Sequence, residues 1–391
     1  MIHAAILGFG TVGSGVAEVL ADNAEAIAKR AGTPIEVKYI LDLRDFPDSP
    51  FADKVIHDFD VIEADPEIRL VAECMGGIGA ALNFTRRCLA AGKHVVTSNK
   101  ELVSKFGQEL LELAKANGCS YLFEASVGGG IPVLRPLTDD LGANKITDIC
   151  GILNGTTNFI LTKMDREGAA FDAVLKQAQA LGYAEANPAA DVEGHDACRK
   201  ISILADLAYG KNVAPDSVPT VGITDLSAED NAFAKAAGMR IKLLGRAKKL
   251  DNGICCWVSP HLLPESHRLA HIDDVYNGIL VHGNAVDDVL FVGSGAGKRP
   301  TASAVIGDLI DCAKHISQHK PIGWSAEPQT LVSPDTLPMR WFVRAAAGTQ
   351  LPGEAIEAEA AGQCAAITAP MTRTELDAAV PNALSVLPVL E

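Results

Sequence analysis

Residues 2–13 read IHAAILGFGTVG: an apolar run breaks into a turn with glycine at positions 8, 10 and 13. Ile2 to Leu7 reads as a buried strand, Thr11 to Ala31 as a helix, and Ile35 to Leu41 as a second strand ending at Asp42. Strand, glycine turn, helix and strand in this order make a dinucleotide-binding unit, in which the glycines allow a tight turn and close backbone approach. The helix N-terminus then receives a pyrophosphate. Gly8, Phe9, Gly10, Thr11, Val12 and Gly13 are the candidate cofactor contacts. A fortuitous glycine turn is the plain alternative, and the position between strand and helix speaks against it. The chain leaves little room for an FAD domain, so nicotinamide is expected. Asp42 suits a ribose 2′-hydroxyl and hence NAD, whereas Arg44 suits a 2′-phosphate. The two cues conflict and predict use of either NADP or NAD.

Outward from this turn, strands are expected at Asp60–Ile62, at Leu70–Cys74 before Met75-Gly76-Gly77, at His94–Thr97 before Ser98-Asn99-Lys100-Glu101, and at Tyr121–Glu124. Helices are expected at Ala80–Ala91 and up to Asn117. The fold class is therefore α/β, with a Rossmann-type dinucleotide-binding domain. Ligands of such sheets lie at the carboxyl ends of the strands, where Gly76, Ser98, Lys100 and Glu124 fall. A lysine at a strand end is equally at home as a solvated side chain.

With 391 residues, 48% of them hydrophobic, the chain can build two or three domains with sizeable cores. Its mean hydropathy of +0.15 suits a soluble globular protein. The net charge of −15 disfavours nucleic acid and anionic membrane as partners, while leaving room for a local phosphate pocket. Nine cysteines are scattered without a CxxC pair, which predicts buried thiols in a reducing compartment. No apolar run reaches the roughly 18–20 residues of a spanning helix. Met1 leads straight into a strand, so no targeting segment and a cytoplasmic location are expected.

The second informative stretch is LGYAEANPAADVEGHDACRK, residues 181–200. Asn187-Pro188 breaks a helix, Asp191 is expected in a turn, and Gly194 to Tyr209 carries apolar residues at helical spacing. Asp196 and Lys200 then share one helix face. An acid and an amine presented together suit a substrate with its own ammonium and carboxylate and a proton to move. An isolated pair of this kind is more often a solvated surface ion pair, so the surroundings must decide.

Those surroundings carry a resemblance. GFGTVG at 8–13, SNKE at 98–101, EASVGGGIP at 124–132, GILNGTTNFIL at 151–161, the 181–200 stretch and GSGAGKRPTASAVIGD at 293–308 resemble homoserine dehydrogenase, in order along roughly residues 1–318. The resemblance implies reversible NAD(P)H-dependent reduction of aspartate 4-semialdehyde to homoserine, on the route to threonine, isoleucine and methionine. It places Glu185 and Asp191 on the substrate, with Tyr183, Gly155 and Thr156 lining the same pocket. Asp196 and Lys200 would orient the reacting oxygen and shuttle its proton, with Lys100 assisting, and the pair would meet the nicotinamide across the gap between the domains. The resemblance also implies a sodium ion held by the Glu124 side chain and the carbonyls of Val127, Gly129 and Ile131. Gly297 would lie near the nicotinamide. Ala190 departs from the family pattern, where a second acid is frequent.

The implied domains are 1–132, completed by 291–318, for the dinucleotide; 133–290, an α+β domain for substrate and dimerisation; and 319–391. A homodimer or homotetramer is expected. Within 133–290, strands are expected at Lys145–Leu153, Gly253–Pro260 and Gly278–Gly283. In the tail, Trp341–Ala347, Ala365–Pro370 and Met371–Ala378 look like the first and last pieces of an ACT module with its middle missing, a remnant with impaired or absent feedback by threonine. An unrelated β-α cap is the alternative. Two other functions compete. An acyl-phosphate-forming semialdehyde dehydrogenase needs a nucleophilic cysteine beside a histidine, which no cysteine context here provides. A non-catalytic NAD(P) sensor has no use for Lys100, Asp196 and Lys200 together.

Overall fold

The structure, a computed structural model, describes residues 1–358 and 362–390. The chain forms two compact units: Met1–Ala143 with Asp206–Ala214 and Gly293–Pro328, and Asn144–Ala205 with Pro215–Val292 and Gln329–Glu391.

The first unit opens with β1 (Ile2–Leu7), α1 (Thr11–Asp22), α2 (Ala24–Ala31) and β2 (Ile35–Leu41). The helix expected over 11–31 is thus two helices. Asn23, a residue that competes for backbone hydrogen bonds within a helix, breaks it at φ −113° and ψ 20°. Next come β3 (Val55–Ile56), α3 (Phe59–Ala64), β4 (Ile68–Glu73), α4 (Gly79–Ala90), β5 (His94–Thr97), α5 (Lys100–Ala116) and β6 (Tyr121–Leu122). The strand expected at Asp60–Ile62 is a helical turn. Asp58 caps it by accepting from the Asp60 amide, and so short an apolar run fits either state.

The second unit contributes β7 (Ile146–Ile152), α6 (Gly155–Glu167), α7 (Phe171–Ala180), α8 (Ala189–Val192), α9 (His195–Tyr209), α10 (Ala228–Ala236), β8 (Met239–Leu250), β9 (Gly253–Pro264), β10 (Tyr276–Gly283) and β11 (Asp287–Ser294). Asp191, expected in a turn, lies in the single helical turn α8. Helix α11 (Lys298–Lys314) belongs to the first unit. The tail holds β12 (Trp341–Ala346), β13 (Glu354–Ile356), β14 (Gln363–Ile367), α12 (Arg373–Ala379) and β15 (Ser385–Pro388).

The first unit is a Rossmann-type fold with a parallel sheet in the order β3-β2-β1-β4-β5-β6. Its central strands are covered on both faces, and their residues are apolar almost throughout. Register sets Leu7 beside Leu41 and Glu73, and Glu73 beside Thr97, so these strands end level. Helix α11 closes on α1 at Gly15, where a Cβ would stand 2.8 Å from the Lys298 carbonyl.

In the second unit a five-stranded sheet runs β11-β10-β7-β8-β9. The pairs β10–β7, β7–β8 and β8–β9 are antiparallel, the last a twelve-residue ladder closed at Leu250 and Gly253. The tail makes a separate four-stranded sheet, β13-β14-β12-β15. It is tied to α10 by Arg344, which donates to both carboxylate oxygens of the buried Asp230.

His261 on β9 is fully buried, with one ring nitrogen 2.8 Å from the Ser259 carbonyl. Burial, reinforced by the charge of Arg246, pulls its pKa down to about 3. The fold therefore holds the neutral ring, and the unfolded chain takes up a proton first as pH falls below the ordinary histidine value. This stabilisation is full above that value and shrinks as pH drops towards 3. The loss between pH 7 and pH 5 is about 2 kcal/mol. Calorimetry at stepped pH should show His261→Gln with a flatter fall in Tm over that window than the parent protein. Equal slopes would remove His261 as the cause.

Candidate active site

In the first unit the glycine turn separates two demands. Gly8 has φ +88° and a Cβ there would lie 2.8 Å from Met75 Cγ; at Gly13 it would lie 1.9 Å from the Gly8 carbonyl oxygen. The fold itself requires glycine at both positions. At Gly10 a Cβ would meet nothing within 4 Å, so packing does not explain the residue. Gly10 precedes α1 and, lacking a side chain, leaves the first helical amides uncapped. Open space before a helix N-terminus fits a pyrophosphate. Gly76 is equally unconfined.

Asp42 and Arg44 follow β2. One Asp42 oxygen accepts the Phe9 amide at 2.8 Å, and Arg44 grips both carboxylate oxygens at 3.0 and 3.2 Å. Partial burial would raise the Asp42 carboxyl, but the Arg44 guanidinium and the Phe9 and Arg44 amides outweigh it and draw it to about 2. Lys100 is the first residue of α5, after the cap Asn99, whose side chain accepts the Leu102 amide. A cation at the positive end of a helix opposes the helix dipole, so helix stability does not account for Lys100. Gly297 caps α11 at φ +117°.

The loop 124–131 tests the sodium ligands. The Glu124 carboxylate accepts three amides, those of Val133, Leu134 and Arg135, at 2.7, 2.8 and 2.7 Å. This side chain serves the backbone and does not fit the role of a free cation ligand. The three amides could not have been read from the motif, because they belong to the turn that follows it. Gly129 is required by packing, since its Cβ would fall 2.5 Å from Gly295. Among the described residues no three His, Cys, Asp or Glu side chains are grouped to hold a metal ion.

In the second unit the end of β7, the start of α6 and the helices α8 and α9 converge on one polar group. Asn154 caps α6, its side-chain oxygen accepting the Thr157 amide at 2.9 Å. Its amide nitrogen donates to Asp191 at 2.7 Å and to Asp196 at 2.9 Å. Lys200 donates to Asp196 and to the Leu153 carbonyl, both at 2.7 Å. The side chains of Asp196 and Lys200 are 5% and 10% exposed; this is not a solvated surface pair. Burial raises the Asp191 pKa, opposed by the Asn154 hydrogen bond and the Lys200 charge and reinforced by the Asp196 charge. The Thr156 hydroxyl donates to the Tyr183 carbonyl at 2.6 Å, and the Tyr183 ring lies 5.0 Å from that of Phe159. Gly155 lies against the Val275 carbonyl, where a Cβ would approach to 2.8 Å. Glu185 is exposed on the loop between α7 and α8, outside the hydrogen-bonded group.

Asn154 is the residue missed by sequence reasoning. Its signal was present in LNGTTN, where an asparagine follows a strand and precedes a helix.

A glycine turn open before a helix N-terminus in one unit and a buried ammonium held by a carboxylate and a carbonyl in the other fit an NAD(P)-dependent oxidoreductase. Comparison with known proteins narrows this. The family models for homoserine dehydrogenase and for its NAD-binding domain match residues 132–310 and 8–124. The homoserine dehydrogenase of Bacillus subtilis (strain 168) is 43% identical over 322 residues, spanning 81% of this chain and 73% of that protein. That of Synechocystis sp. is 45% identical over 315 residues, 78% and 72% of the two chains. The crystal structure of a homoserine dehydrogenase from Thiobacillus denitrificans superposes with a TM-score of 0.92 at 35% identity, covering 100% and 98%. A hyperthermophilic archaeal homoserine dehydrogenase mutant in complex with NADPH gives 0.67 at 27% identity, covering 79% and 97%. The chain belongs to the homoserine dehydrogenase family.

Lys200→Met keeps most of the side-chain length and removes the charge, leaving the buried Asp196 and the half-buried Asp191 beside Asn154 without the Lys200 ammonium. The expected cost is about 3–5 kcal/mol near neutral pH, partly recovered in mild acid as a carboxyl protonates. Chemical denaturation at pH 7.5 and 5.5 checks it. A variant as stable as the parent at both would mean the pair is solvated.

Proposed function

We propose that this protein catalyses the reversible NAD(P)-dependent oxidation of homoserine to aspartate 4-semialdehyde. The observation that carries the reading is the buried Lys200 ammonium, fixed by Asp196 and the Leu153 carbonyl. Bound nicotinamide supplies the hydride chemistry. The protein's task is to bind an amino acid, orient its hydroxyl or carbonyl oxygen, and move one proton. Asp191 is assigned to the substrate's own ammonium, and Asp196 with Lys200 to the reacting oxygen. Glu185 is assigned to the same ammonium, with Gly155, Thr156 and Tyr183 shaping the pocket. Lys200, paired with Asp196, donates its proton to the oxygen during reduction and stabilises the negative charge that builds there. In the oxidation direction the unprotonated amine takes that proton. Lys100 is assigned an electrostatic role on the same oxygen.

Gly8, Phe9, Gly10, Thr11, Val12, Gly13, Gly76, Ser98 and Gly297 are assigned to the cofactor. Arg44 is assigned to a 2′-phosphate and Asp42 to a 2′-hydroxyl, giving use of either cofactor. A sodium ion on the 124–131 loop would draw on main-chain oxygens of Glu124, Val127, Gly129 and Ile131, because the Glu124 carboxylate is engaged elsewhere. Assembly as a homodimer or homotetramer through the second unit and a cytoplasmic location complete the proposal; no helix among the described residues is long and apolar enough to cross a membrane. The tail is proposed as a shortened ACT-like segment. Its support is a four-stranded sheet with one helix, and β12 reaching β13 without a helix between them.

Absorbance at 340 nm should rise when the protein is given homoserine and either cofactor, and added threonine should leave the rate unchanged. Lys200→Ala should lower kcat by about 10²–10⁴-fold; no absorbance change with the parent protein and either cofactor would end the reading. Arg44→Ala should shift the NADP-to-NAD ratio of kcat/KM about tenfold towards NAD, roughly 1.4 kcal/mol, and an unmoved ratio would clear Arg44 of any part in selection.

A further inference from the structure

Glu73 closes β4, a central strand of the parallel sheet, and is fully buried. The residues before it, Leu70, Val71 and Ala72, are buried and apolar. An apolar side chain would serve packing here, whereas a buried carboxyl without a cation carries a penalty of several kcal/mol. Its partners are neutral. One oxygen accepts the Met75 amide at 2.7 Å, and the other accepts the Thr97 hydroxyl at 2.5 Å.

From these contacts a chain of hydrogen bonds runs along the carboxyl ends of the strands. Thr97 Oγ1 accepts the Asn99 amide at 2.9 Å, the Asn99 side chain donates to the Gly77 carbonyl at 2.7 Å, and its oxygen accepts the Leu102 amide at 3.1 Å. The loop after β4, the loop after β5 and the first turn of α5 are thereby locked together. On the other side Met75 is held against Gly8, the first glycine of the cofactor turn.

We infer that Glu73 is a positioning residue for the reaction: its carboxyl group, through Thr97 and Asn99, fixes the helix start that presents Lys100. The inference rests on the role given to Lys100 above. Burial pushes the Glu73 carboxyl up to about 7, against the pull of its Thr97, Met75 and Asn99 hydrogen bonds. The network persists in either protonation state: the ionised carboxylate accepts both bonds, and in the neutral acid one oxygen still accepts the Met75 amide while the other, as O–H, donates to Thr97 Oγ1, which can accept it beside the Asn99 amide. Leucine at this position breaks it: the side chain keeps most of the volume and leaves the Met75 amide and the Thr97 hydroxyl without their partner.

The test is a set of variants in the full chain, followed by homoserine oxidation and by quenching of NADPH fluorescence on binding. Glu73→Leu and Thr97→Val should each lower kcat about tenfold, the equivalent of one hydrogen bond, with the cofactor Kd raised no more than about threefold. The double variant should be no worse than either single one, since both cut the same chain. Thr97→Ser, which keeps the hydroxyl, should recover at least half of what Thr97→Val loses. Glu73→Leu added to Lys100→Met should change nothing further. Circular dichroism identifies any variant that fails to fold, and the isosteric Thr97→Val decides if Glu73→Leu does. Unaltered kcat in the folded single variants, or losses that multiply to about a hundredfold in the double one, would overturn the inference. An inactive parent protein would instead overturn the reading it rests on, a distinguishable result.

Discussion

A lysine ammonium that is nine-tenths buried must be surrounded by acceptors, and in this protein that requirement organises the second unit. Lys200 takes the last carbonyl of the strand region, Leu153, and the carboxylate of Asp196 one helical turn before it. Asp196 and Asp191, which would repel each other, are bridged by the amide of Asn154. That asparagine also starts α6. The end of β7 and the starts of α6, α8 and α9 are therefore held by one arrangement of charge. Burial makes the arrangement costly to disturb, and it also makes the ammonium a strong electrostatic group, because little water screens it.

Glycine meets two different needs at the amino-terminal turn of the first unit. At Gly8 and Gly13 a side chain would strike the protein itself, and at Gly10 it would strike nothing. The first two residues build the turn and the third leaves a space for something else. Such a distinction cannot be drawn from the motif, where the three glycines look alike. It is the strongest local support for a bound dinucleotide.

Much of the architecture was legible because it rested on short-range pattern. The strand, turn and helix at residues 2–22 follow directly from apolar spacing and glycine position. The Asp196–Lys200 pair was legible as a helix-face neighbour relation. Its burial was not, because burial depends on Leu153 and Asn154, some forty residues away. Asn23 and the Phe59–Ala64 helix were misread for a related reason: a single polar residue or a short apolar run has no preference strong enough to override its context. The Glu124 side chain was assigned to a cation because the family resemblance implied one on this loop. Its real partners, the amides of residues 133–135, become visible only when the chain turns back on itself.

Glu73, Glu124 and Asp196 are three buried carboxyl groups at or near strand or helix ends, and their surroundings give them different chemistry. Asp196 has a cation, the Lys200 ammonium at 2.7 Å. Glu124 has three amides, a neutral cradle aligned well enough to bind its carboxylate, and it acts as a clamp on the chain. Glu73 has one amide, one hydroxyl and a neighbouring asparagine side chain, too little to offset burial, which pushes its carboxyl up to about 7. A residue kept at that cost between the glycine turn and Lys100 is explained by what it connects. The net charge of −15 says nothing of this, because it counts carboxylates without regard to the donors each has found.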